Sequence, residues 1–153
     1  TRDWSSDVCS SDLQGSKTRM PNGAMVEGSS TTGRARLRDW RSTVAAVAHQ
    51  QRQLVEVPFD GPTQVTVDFR FPVPKSRPAS YRKHLLTGEV QGWKPTKPDL
   101  DKLMRALGDG LVQGGLIARD ELICSWSAHK IEVAEGDWTG AWVLIEALDV
   151  IRT

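Results

Sequence analysis

Long apolar runs are missing from this 153-residue chain. Nothing approaches the roughly 18 consecutive apolar residues that a membrane-spanning helix needs, so no membrane partner is expected. Cysteine is nearly absent as well. Cys9 and Cys124 offer neither a metal-ligand spacing nor a disulfide framework, which makes a reducing cytoplasm the default compartment. A charged start followed by an apolar stretch, the mark of a secretory signal, is also lacking. Excess charge of one sign is missing too, since the net charge is +1.

That near-neutrality hides a strong segregation. Residues 75–97 hold Lys75, Arg77, Arg82, Lys83, Lys94 and Lys97 against Glu89 alone. Residues 33–53 hold Arg34, Arg36, Arg38, Arg41 and Arg52 against Asp39. Residues 131–149 hold Glu132, Glu135, Asp137, Glu146 and Asp149 and no Lys or Arg. Such a chain can present a phosphate-binding surface while staying neutral overall; a solvated surface of uneven charge is the plainer alternative.

The length fits one domain. The first 13 residues are polar and aperiodic, without an initiator Met, and join abruptly to Gln14-Gly15-Ser16-Lys17. They read as a non-native, adapter-derived stretch, so the domain is expected to span 14–153. Residues 14–32, rich in Gly, Ser and Thr, read as a loop. From Gly33 to Gln53, Leu37, Trp40, Val44 and Val47 recur at steps of three and four, which predicts an amphipathic helix. Val65, Val67, Phe69 and Phe71 alternate with polar residues, the pattern of a strand with one buried face. A proline-rich basic connection follows, with a short helix over 80–87. Leu100, Leu103, Met104, Leu107 and Leu111 predict a second main helix, ended by Gly114-Gly115. Two further strands, 121–133 and 141–149, are expected to pair as a hairpin. The fold class is therefore α+β, a small mixed sheet with two main helices packed on it.

The chemistry-bearing stretch is Pro98-Asp99-Leu100-Asp101. Acids there suit the positive end of a helix dipole, and a purely structural capping role stands as one reading. A helix from 100 to 112 leads about 18 Å away from Asp99. The eight steps to Asp120 can cover roughly 26 Å, so the chain is able to bring Asp120 back. Converging carboxylates repel unless a cation joins them, and hard oxygen ligands suit Mg²⁺ or Mn²⁺.

Asp99-x-Asp101, then Arg105 and Asp109 along the helix, then Gly115 and Asp120 before a strand, resembles the RusA-type Holliday junction resolvases. Their pattern runs Pro-Asp-x-Asp-Asn, a Lys one turn on, a helical Asp, a Gly and a closing Asp. Gln14–Arg19 and Asn22-Gly23 resemble the family's basic segment after its first strand. The resemblance covers about 14–149 and implies a RusA-like fold lacking its first strand. It also implies a homodimeric, Mg²⁺-dependent endonuclease of branched DNA, in the cytoplasm of a bacterium or encoded by a phage. Carried over by motif, Asp99, Asp101 and Asp120 bind metal and, with Arg105, form the catalytic set. Lys17, Arg19, Lys75, Arg77, Arg82, Lys83, Lys94 and Lys97 are the expected DNA contacts. Trp93 is expected to be a packed loop residue or a base-stacking platform. Lys102 replaces the usual Asn, Arg119 stands where an extra Asp is common, and Arg105 replaces Lys. A non-catalytic DNA-binding protein is the second reading, and a hydrolase of smaller phosphate esters the third.

Overall fold

The computed structural model describes residues 2–3, 30–54 and 58–148. In chain order the elements are β1 (Arg2–Asp3), α1 (Ser30–Arg52), β2 (Thr63–Pro72), α2 (Ala79–Thr87), α3 (Leu100–Gln113), a 3₁₀ turn (Asp120–Leu122), β3 (Ile123–Val133) and β4 (Gly140–Ala147). The expected α+β class holds. Most of the N-terminal stretch, the loop over 14–29, and Lys17 and Arg19 within it lie outside the described residues.

Strand β2 carries the clearest signal in the sequence and occupies the middle of the sheet. Thr63, Val65, Val67, Phe69 and Phe71 alternate inward and are buried, with polar or half-buried neighbours between them. The inward row meets Ala141, Val143 and Ile145 of β4 and the apolar faces of α1 and α3. Trp40 of α1 stands edge-on to Phe69, ring centroids 5.9 Å apart. Each of these large side chains contributes roughly 1.5–3 kcal/mol by leaving water. Among the described residues, no helix is long and apolar enough to cross a membrane.

The hairpin expected from the last two strands does not form. The sheet order is β1-β4-β2-β3: β3 pairs with β2 in parallel and β4 pairs with β2 antiparallel. The central strand, apolar on one face along its whole length, takes a partner on each edge. The connection from β3 to β4 must then pass over the C-terminal end of β2. Arg70 holds it there, its Nη2 donating to Asp137 at 2.7 Å and its guanidinium lying 4.1 Å over the Trp138 ring.

Helices α1 and α3 run side by side in the same direction. Val44 faces Gly110 and Ala48 faces Gly114, so the backbones nearly touch at that end. Gly114 ends α3 with its N–H on the Gly110 carbonyl, and Gly115 turns the chain at φ +81°, as the glycine pair predicts. At Gly110 an added Cβ would lie 2.6 Å from Val44 Cγ1 and 3.1 Å from the Arg41 carbonyl. Gly110→Ala is therefore expected to lower stability by roughly 1–3 kcal/mol through overpacking, read as a drop in the denaturation midpoint. A midpoint unchanged from wild type would mean the two helices are not in this contact.

Candidate functional site: the start of helix α3

The loop before α3 is tied to the sheet by a lysine. Lys130, near the C-terminal end of β3, donates from Nζ to the carbonyls of Thr96 and Pro98, both at 2.7 Å. This fixes where α3 begins. Asp99 occupies the N-cap position, but its side chain makes no capping hydrogen bond. Instead its carboxylate pairs with Lys102 Nζ at 3.0 Å. That hydrogen bond and charge, helped by Lys97 and Lys130, hold the Asp99 carboxyl below the usual carboxylate range. Asp101, in the first helical turn, is exposed and has no ion-pair partner among the described residues. Arg105, one turn further, is exposed and likewise free of a carboxylate. Asp109 spans to the neighbouring helix, 3.6 Å from Arg41, so its role is to tie α3 to α1.

Asp120 does not join Asp99 and Asp101 within the chain. After α3 the connection stays at the helix's far end, where Leu116 and Ile117 are buried. Ile117 bridges to Phe59, the Phe59 N–H donates to Leu116, and the Ala118 N–H donates to Phe59. Asp120 then opens the 3₁₀ turn just before β3, and β3 itself makes the return journey past Gly108 to the start of α3. Helix α3 has 14 residues, about 21 Å at 1.5 Å each, so Asp120 sits on the order of 15–20 Å from Asp99. The neighbour brought back to Asp99 is Lys130. Among the described residues, no group of three or more acids, histidines or cysteines is placed to hold a metal ion. The expected convergence of three carboxylates is therefore corrected for a single chain: the connection is spent on a buried bridge rather than on a return.

Beside Asp99 lies a pocket of about 510 Å³, lined by the cations Lys75, Arg82, Lys94 and Lys97 and the acids Glu135 and Asp137, over Phe71 and the prolines of the connection. Its anchor is a residue the sequence reading left without a role, Glu132, which is only 2% exposed. Arg77 grips both Glu132 oxygens, at 3.0 and 3.1 Å, and Tyr81 donates to Oε2 at 3.2 Å. Glu132 in turn holds the Arg77 guanidinium more firmly protonated. Burial first, and then Glu132, push the Tyr81 hydroxyl up. Arg77 is thus a strut of the basic loop rather than a free cation. Lys94 is half-buried, 4.9 Å above the Phe71 ring, and burial keeps its ammonium below the usual lysine range. Lys75, Lys83 and Lys97 are exposed, and Arg82 is half-buried. Trp93 is 56% exposed, with its ring 5.8 Å from His129, so the packed-loop expectation for it does not hold. The signal available for Glu132 in the sequence was a charged residue set between Ile131 and Val133 within an apolar strand; its place beside Phe71 comes from the β2–β3 register.

A compact α+β domain with acids at a helix start, set among lysines and arginines, has the build of an enzyme that works on a polyanionic backbone. Residues 16–141 match the family model described as Endodeoxyribonuclease RusA. The match covers most of the chain, and the chain belongs to the RusA endodeoxyribonuclease family. It is accordingly a nuclease that hydrolyses DNA phosphodiester bonds, in a family of Holliday junction resolving endonucleases that bind branched DNA and generally depend on a divalent metal. No curated protein matches the chain.

Two outcomes are expected from this geometry. In Lys102→Gln the Asp99 carboxyl should titrate higher, toward the unperturbed value near 3.9, followed by NMR of the side-chain carboxyl. The sign is that of a depressed acid. The Lys102 pairing stabilises the fold above the unfolded value, and this contribution fades as pH falls through the folded one. An unmoved titration would mean Lys102 is not the cause. Glu132→Gln should cost roughly 2 kcal/mol, at or below the low end for a broken buried pair because Arg77 is partly exposed. Amide exchange should speed up across residues 77–86, and stable, slowly exchanging amides there would remove Glu132 as the anchor.

Proposed function

We propose that this chain is a Mg²⁺-dependent endonuclease that cuts branched DNA in recombination and repair, and that it acts as a homodimer. The observation that carries the reading is the start of α3. An unpaired exposed Asp101 and a firmly ionised Asp99 stand there, flanked by cations that suit a phosphodiester. The family supplies the reaction, hydrolysis of the DNA backbone.

The three acids of the motif do not fit one cation within one chain, since Asp120 lies at the opposite end of α3. The reading therefore assigns Asp120 at each site to the second copy, brought in across a two-fold axis. Cutting a four-way junction symmetrically needs two such sites, which a two-fold dimer supplies. When bound, the cation would supply Lewis acidity and an ionised water. The chain's own residues do the rest. Arg105, one turn after Asp101 on the same helix, meets charge growing on the scissile phosphate. A guanidinium stays charged near neutral pH and cannot give up its proton, so the leaving oxygen takes its proton from solvent. Lys75, Arg82, Lys83, Lys94 and Lys97 contact flanking phosphates, which position the DNA without reading sequence. The exposed Trp93 ring offers a stacking surface for an unpaired base.

A second reading, a structure-selective DNA-binding protein without catalysis, draws support from the Lys102–Asp99 pair, because the lysine competes with a cation for that carboxylate. The readings part on complementation. Asp101→Asn and Asp120→Asn should each cut a synthetic four-way junction at least about 100-fold more slowly, with binding retained. Mixed and re-equilibrated, they should regain nicking activity, since a heterodimer carries one site with both wild-type acids. EDTA should abolish it. Inactive mixtures would remove the shared site, and a wild-type chain that binds junctions but never cuts them would favour the second reading.

A further inference from the structure

Helices α1 and α3 lie parallel, with Val44 against Gly110 and Ala48 against Gly114. One turn or two nearer their starts, the line between them opens into a groove of about 290 Å³, lined by Arg38 and Arg41 of α1 and Lys102, Arg105 and Asp109 of α3. Four cations there face one acid. Leu37 and Ala106 form its floor. Arg38 and Arg105 are exposed and have no ion pair among the described residues, whereas Arg41 reaches Asp109 only at 3.6 Å. Arg38 and Arg41, like Lys102 and Arg105, are three residues apart, roughly 4.5 Å along each axis, on helices packed at about 8–10 Å.

This groove is distinct from the basic pocket formed by the 75–97 connection. That pocket includes Lys97, just before Asp99, while the groove includes Lys102 and Arg105, just after Asp101. Lys97 and Lys102, which bracket the acids in the sequence, thus line two different concavities. The apolar face of α1 serves the core, Arg41 has Asp109 as its ion-pair partner, and Arg38, one turn earlier on the groove side, has no ion pair among the described residues.

We propose that the α1–α3 groove binds the backbone phosphates of a second DNA segment, on the other side of the acids from the segment held by the 75–97 connection. The inference rests on the nuclease reading above and extends it. Phosphodiester is the favoured ligand because the groove offers guanidinium forks with an apolar floor too small for a helix or strand to dock. Two tracks diverging from one site suit a branch point, where two backbones part, better than a single duplex.

The test is Arg38→Gln with Arg41→Gln in the full chain, with Arg38→Gln alone as the milder variant because Arg38 has no partner to lose. Binding to a four-way junction is measured across a salt series. Each phosphate contact contributes a slope of about 0.9 in log K against log salt. The double variant should lose about 1.8 from the wild-type slope and bind several-fold to tens of times more weakly at 0.1 M salt, with the single variant losing about half of that slope. Thermal unfolding near the wild-type value shows that the fold is intact. A wild-type slope in both variants would overturn the groove while leaving the nuclease reading standing. A wild-type chain with no junction binding would overturn both. Unchanged junction binding together with lost binding to a polyglutamate peptide would assign the groove to an acidic protein segment instead and overturn the proposal.

Discussion

The central place of β2 is the constraint on which the rest of this molecule depends. A strand with a full buried row needs hydrogen-bonding partners on both edges if its backbone groups are to stay satisfied inside the fold. Here β3 takes one edge in parallel and β4 the other antiparallel. Because β3 runs parallel to β2 and opposite to α3, its C-terminal end arrives at the start of α3. Lys130 and Glu132 come with it. Lys130 fixes the helix start, and Glu132 anchors the basic connection. Asp120, at the strand's other end, is left behind for the same reason.

Charge is organised around that arrangement rather than spread over the surface. Glu132 is a buried anion satisfied by Arg77 and Tyr81, and it holds the connection so that Lys75, Arg82, Lys94 and Lys97 share one pocket. Of the acidic strand end, Glu132 is thus an internal counter-charge and clamp for the basic loop, while Glu135 and Asp137 stay exposed. Arg70 and Asp137 form the same kind of tie where the chain crosses over β2. Breaking the Glu132–Arg77 pair would leave an uncompensated buried charge, so it fixes the connection that carries Lys75, Arg82, Lys94 and Lys97 beside Asp99.

The departures from the family motif now have physical content. Lys102, where Asn is usual, places a positive charge 3.0 Å from Asp99. It keeps that carboxylate ionised and, at the same time, occupies it. Arg105 in place of Lys brings a charge that stays on the side chain at any ordinary pH. Lys102 also adds a positive charge to the groove toward α1.

Periodicity located α1, β2 and α3, because burial on one face leaves a repeat of 3.6 or 2 in the residue pattern, and runs rich in Ile, Val, Leu and Trp located the two later strands. The motif spacing likewise singled out Asp99, Asp101 and Asp120, and the local charge excess identified the basic connection. What a linear pattern does not carry is which strand lies beside which. The turn residues 136–140 suggested a hairpin, yet the apolar central strand claimed both neighbours. For the same reason the chain length between Val112 and Asp120, ample for a return, said nothing of where those residues would be spent. The burial of Leu116 and Ile117 against Phe59 decided that. The sequence determined the elements and the charged groups, since those depend on near neighbours along the chain. Tertiary structure alone decided which of those groups meet, since strand pairing and helix packing join residues that are distant in sequence.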